Sequence, residues 1–361
     1  MFKQVVVALW VMLAALPIMI ITITALTPSA KPPSPERNQQ QDIQAANKYL
    51  AQGLAQWHQQ HYALALQDIS LAAELGASDA KLYQHYGQGW LTAQQAKHKQ
   101  TLPKEIWAPK TCLQQILLVS AELESLVQAT QFMLLFQADK RLTSLPICIG
   151  PQLVFAPNLL PCVDENQQRR ISCDIKPLAA ELENKQFTHL VVFAKQGKAY
   201  VHNGIMYLDQ QDTYDVFVHE LAHFAGFVDE YPLSQELAKR VCKEAKAPNL
   251  VFKQVSQGHI DMQYWQQLKQ KTDVALTPAR TCDNHTSQAF KPSAKMTFME
   301  YYDVTRIPDF YLAAWQKALQ RQQNLTPAFI NFAQAFDEQP SASQAQYWRK
   351  RYEQYHQASM R

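Results

Sequence analysis

Residues 213–231 read Thr-Tyr-Asp-Val-Phe-Val-His-Glu-Leu-Ala-His-Phe-Ala-Gly-Phe-Val-Asp-Glu-Tyr, and this run decides how the rest of the chain is read. Val216, Phe217, Leu221 and Phe224 recur at helical spacing behind Asp212 or Thr213, either of which can cap a helix. On that helix His219 and His223 stand four residues apart and share one side, so two imidazoles can reach one ion. Glu220 projects about 100° around the axis, close enough to touch a water on such an ion without binding the ion itself. Zinc lowers the pKa of its bound water to about 7, a carboxylate takes the proton, and the oxygen attacks a polarised carbonyl.

The helix is broken at Gly226, three residues after His223, and Asp229 follows three further on, giving the pattern HExxHxxGxxD. Here the sequence resembles the metzincin clan of zinc endopeptidases, in which the chain turns back at that glycine to deliver a third ligand. The resemblance implies zinc held by His219, His223 and Asp229, with Glu220 as general base and then acid. Glu230 is the neighbouring competitor for the third position. Metzincins also carry a tight turn with a buried Met beneath the metal and a Tyr two positions later. Thr297-Phe298-Met299-Glu300-Tyr301 has that form, with Met296 and Tyr302 as fallbacks. Met299 is then the floor of the site and Tyr301 an aid to the transition state. An insertion containing Cys242 and Cys282 accounts for the long separation of this turn from Asp229. Asp229-Glu230-Tyr231 also resembles a bacterial peptidase family named for an IgA-cleaving member, whose similar run is spaced one residue further. A different zincin layout takes a Glu about twenty residues beyond the second His, and Glu244 on a helical stretch from Glu236 stands near that distance.

Upstream of the motif, runs at Ile147 to Phe155, around Ile171 to Ile175, at Leu190 to Phe193, and at Tyr200 to Leu208 across Asn203-Gly204 predict strands. The last of these, just before the helix, is where metzincins pair a substrate backbone. Residues 111–140, with Leu113, Ile116, Leu117, Leu123, Val127, Phe132, Leu134 and Leu135, predict one long helix or two. The fold class is therefore α+β, a mixed sheet leading into one active-site helix, over 101–325, with C-terminal helices over 326–361. Residues 42–100 predict a helical hairpin region. Tyr49 and Gly53 recur as Tyr83 and Gly87, a spacing of 34 that resembles the tetratricopeptide repeat. Such a unit needs a neighbour to bury its face and is a candidate site for a protein partner.

Val5 to Leu26 runs uncharged for about one bilayer thickness, so residues 1–26 are expected to be a membrane anchor or signal segment, followed by an extended linker over 27–41. Six cysteines at 112, 148, 162, 173, 242 and 282, all beyond that segment, predict disulfides and a periplasmic or extracellular domain. Cys162 with Cys173 and Cys242 with Cys282 are candidate pairs among 15 connectivities, and Cys112 is a candidate inhibitory thiol. A formal net charge of +3 without a long basic run excludes a nucleic-acid footprint. The expected function is hydrolysis of peptide bonds in a peptide or protein substrate by a zinc-bound water that Glu220 activates. The alternatives are a non-catalytic peptide- or protein-binding module and a glutamate-type zincin using Glu244.

Overall fold

The computed structural model describes residues 35–96, 112–150, 152–155, 159–163, 169–253, 276–321, 325–337 and 342–358. The expected membrane segment lies outside them, and among the described residues no helix is long and apolar enough to cross a membrane.

Three helices come first: α1 (Pro35–His58), α2 (Tyr62–Glu74) and α3 (Ala80–Ala96). Helix α1 starts earlier than expected and takes up 35–41 of the predicted linker. Proline at the first helical position costs no hydrogen bond, and the glutamines behind it are good helix formers. The recurrent glycines sit where these helices approach one another. A Cβ on Gly53 would lie 2.7 Å from Ile69 Cγ1, and one on Gly87 would lie 2.9 Å from Leu66 Cδ2. The helical region does not bury its face alone. Trp57, Ala65 and Leu123 form a shared core with Tyr83 and Tyr86. Across the same contact His58 pairs with Glu124 at 2.7 Å, and Thr130 donates to the Tyr86 hydroxyl at 2.8 Å.

Leu123, Glu124 and Thr130 belong to α4 (Leu123–Ala138), which follows strand β1 (Gln114–Ser120). Part of the helix expected over 111–140 is thus a strand. The reason is burial: β1 is the inner, parallel strand, and both its faces are covered, so it carries a continuous apolar run with none of the alternation that marks a half-exposed strand. The other strands of its sheet are β2 (Ile147–Ile149), β3 (Leu153–Val154), β6 (His189–Phe193), β7 (Tyr200–His202) and β8 (Ile205–Leu208). Their order is β2-β1-β6-β8-β7, with β3 also pairing β1. All pairs are parallel except β7–β8, the hairpin across Asn203-Gly204, in which His202 faces Ile205.

Side chains alternate between the two faces of this sheet. Ile116, Leu118, Val191, Phe193, Met206 and Leu208 face a core shared with α4, α6 (Tyr214–His223) and α8 (Asp309–Gln320). Leu117, Val119, Leu190, Val192, Ile205 and Tyr207 face the opposite core, filled by α5 (Lys176–Leu182), α9 (Phe329–Asp337) and α10 (Ala342–Ala358). The C-terminal helices thus complete the central sandwich: Phe329, Phe332 and Trp348 are buried against Phe187. The architecture is mixed, with helices on both faces of a mixed sheet.

A smaller unit is inserted between Asp229 and Thr297. It holds α7 (Gln235–Glu244), a three-stranded sheet of β9 (Val251–Lys253), β10 (Thr277–Ala279) and β11 (Gln288–Lys291), and its own core around Leu233, Leu250 and Phe252. Cys242–Cys282 crosslinks it. Cys162–Cys173 joins the short strands β4 (Cys162–Val163) and β5 (Ser172–Cys173), and Cys112–Cys148 ties the entry of β1 to β2. No cysteine is free, so Cys112 supplies no inhibitory thiol. Three disulfides fit an oxidising, extracellular or periplasmic environment.

Candidate metal centre

Helix α6 is built as its residues dictate. The Thr213 hydroxyl accepts from the Val216 N–H at 3.4 Å, and Phe217, Val218, Leu221 and Ala222 are buried against the sheet. That burial turns His219, Glu220 and His223 toward the opposite side. The helix stops at His223, and Gly226 takes a φ of +83°, the left-handed conformation that glycine adopts without steric cost. The Phe227 N–H reaches back to the Ala222 carbonyl at 3.2 Å, and the chain reverses across the histidines.

Three ligand atoms then converge. Asp229 Oδ1 lies 3.1 Å from His219 Nε2 and 3.2 Å from His223 Nε2. The proton positions make this cluster able to hold a cation. His219 Nδ1 lies 2.7 Å from the Phe298 carbonyl and His223 Nδ1 lies 2.8 Å from the Phe227 carbonyl, and a carbonyl can only accept. Each neutral imidazole therefore carries its hydrogen on Nδ1 and turns an Nε2 lone pair toward the carboxylate. Two lone pairs and an anionic oxygen at this spacing repel unless a cation lies among them. A proton meets that need in part: burial works against a charge on His223, yet the Asp229 carboxylate outweighs it and lifts the imidazole to about 10. Burial likewise opposes the Asp229 charge, but His223 and His219 hold this carboxyl well below the usual range. A metal ion would satisfy all three groups at once, and a set of two imidazoles and a carboxylate suits zinc.

The Asp229 loop is fixed on every side. The buried Asn249 side chain accepts from the Val228 N–H at 3.0 Å and donates to its carbonyl at 2.8 Å. Thr281 Oγ1 donates to the Asp229 carbonyl at 2.7 Å. Glu230 N–H donates to the Met299 carbonyl at 2.9 Å, and the Glu230 carbonyl accepts from Arg280 N–H at 3.0 Å. The Glu230 side chain turns away from the cluster and is fully buried, accepting from Tyr311 at 2.7 Å, from Asn249 at 3.0 Å and from the Thr297 hydroxyl. Glu230 therefore does not face the two imidazoles. Met299 is fully buried in the core beneath α6, whereas Met296 is exposed. Glu244 is exposed at the end of α7 and is no part of the converging group.

Glu220 is buried beside the cluster, with Oε2 3.9 Å from His223 Nε2 and without a hydrogen bond. Burial raises its carboxyl above the ordinary range, against the pull of His223 and His219. Tyr301 is exposed and stacked on Tyr302 with ring centroids 5.5 Å apart, and no hydrogen bond joins it to the cluster. The phenol beside Asp229 is Tyr231, which the sequence presented as the last residue of the Asp229-Glu230-Tyr231 run without a role in the chemistry. It is 40% exposed, and partial burial, followed by the Asp229 charge and hydrogen bonding to Asp229, pushes its pKa up. Compared with known families, curated proteins and solved structures, the chain matches none.

Proposed function

We propose that this chain is a zinc-dependent peptidase in which His219, His223 and Asp229 hold the ion and Glu220 moves the proton. One observation carries the reading: two Nε2 lone pairs and Asp229 Oδ1 converge while a desolvated, hydrogen-bond-free Glu220 oxygen stands beside them. Zinc at that point would polarise the scissile carbonyl and acidify a water molecule. Glu220 takes the proton from the attacking water, since its raised basicity favours proton capture, and hands it to the departing amine nitrogen. Tyr231, whose phenol is coupled to Asp229, can donate to the carbonyl oxygen as negative charge gathers on it. The Phe298 and Phe227 carbonyls keep both histidines in one tautomer throughout.

The resemblance to metzincins supports the same reading, as do the buried Met299 below the helix and the loop that carries Asp229. The membrane anchor and the extracytoplasmic side of action belong to this proposal as well. The test is hydrolysis of quenched fluorescent peptides by the full-length chain before and after chelation, beside Glu220→Gln. Activity lost on chelation, restored by zinc, and lowered roughly 10²–10⁴-fold in Glu220→Gln is the expected result. Equal rates in all three samples would overturn it.

A further inference from the structure

The sheet edge beside the cluster is basic. Arg170 and Lys198 pair through an isolated parallel bridge, with the Lys198 N–H donating to the Arg169 carbonyl at 2.7 Å. The Arg170 guanidinium carbon lies 5.2 Å from the ring centroid of Tyr200, the first residue of edge strand β7. At the other end of β7, His202 is exposed, and its carbonyl accepts from the Asn331 amide at 3.0 Å. From 195 to 208 the chain contains Lys195, Lys198 and His202 and no Asp or Glu. Arg170, Lys198 and Arg240 are exposed, and among the described residues no carboxylate pairs with them.

This edge adjoins the site, because helix α6 packs against β7. At the end of that strand burial, and then the charges of Arg170 and Arg240, lower the pKa of His202. Like charges gathered with no carboxylate at ion-pair distance among the described residues raise the local potential, and an anionic ligand relieves it. We infer that this edge receives the acidic side chains of an extended peptide passing along β7, so that the substrate class is acidic polypeptide. The inference rests on the peptidase reading of the site. Arg170 and Lys198 set which chain is held and take no part in the chemistry, and Arg240 extends the same field.

Binding separates the two ideas. Fluorescence anisotropy of the full-length Glu220→Gln chain is measured with three labelled peptides of equal length, bearing Glu, Gln or Lys at the same positions. The Glu peptide should bind about tenfold tighter than the Gln peptide, as a few exposed charge pairs would give, and the Lys peptide weaker still. The preference should shrink as salt rises and vanish in Arg170→Gln/Lys198→Gln with an unchanged melting temperature. Equal affinities, no binding of any peptide, or a preference that survives the double variant would overturn it. Selective binding of the Glu peptide with no cleavage of any peptide by the wild type would uphold the basic edge and break the peptidase reading.

Discussion

Asp229 and Glu230 are neighbouring acids in one loop, and their carboxylates live in opposite worlds. Asp229 faces two imidazole nitrogens and carries an oxygen that no hydrogen bond satisfies. Glu230 is sealed, with Tyr311, Asn249 and Thr297 donating to it. The two side chains leave the loop in different directions, so one acid meets the imidazoles and the next becomes the pin that holds the loop to the Thr297–Met299 turn. A buried carboxylate marks function where its partners are lone pairs and architecture where its partners are donors.

Breaking the pin should have the largest effect on stability. Glu230→Ala strands three buried donors, and a loss of about 3–5 kcal/mol is expected, seen as a melting temperature lower by roughly 10 °C. Asp229→Asn does the reverse: zinc affinity in a competition titration should fall at least about 100-fold, and above about pH 10, where the His223 pairing is already lost, the chelated protein should melt near the wild type. If both variants behaved alike in both assays, the division between the two acids would be wrong.

The pH response sharpens the same contrast. His223 has its pKa raised from 6.5 to about 10, so in the chelated protein its pairing stabilises the fold fully below pH 6.5 and is lost as pH rises through about 10. Thermal melts over that window should lose this decline in Asp229→Asn. His189 has the opposite sign. Burial lowers it from 6.5 to about 3, so its contribution is present above pH 6.5 and is lost as pH falls toward 3. His189→Leu should flatten the acid limb and leave the alkaline one. The smallest expected effect is that of Thr297→Val, which removes one hydrogen bond to Glu230 and should cost about 1 kcal/mol in a denaturant titration, with the zinc content kept.

What could be read from the sequence follows from which signals are local. Thr213, Gly226 and the four-residue spacing of His219 and His223 act within one helix and its ends, so the helix, its stop and its shared face were all legible. The hairpin at Asn203-Gly204 was legible for the same reason, and proximity pointed to two of the disulfides. Strand β1 was not, because burial on both faces erases the period that separates strand from helix. Nor was the pairing of Cys112 with Cys148, which depends on β1 lying beside β2. The roles of Glu230 and Tyr231 are set by groups 19 to 81 positions away, or by the direction in which a loop turns. The helices after Pro327 read correctly as helices, but their place against the sheet is a tertiary fact.

The central claim is that His219, His223 and Asp229 form one metal centre beside a Glu220 that binds no metal. Plasma mass spectrometry on the purified full-length chain, beside Glu220→Ala and Asp229→Ala, tests it most directly. One zinc per chain in the wild type, kept in Glu220→Ala and lost or weakened in Asp229→Ala, is the predicted result; a wild type without zinc, or an Asp229→Ala variant that keeps it as tightly, would contradict the account.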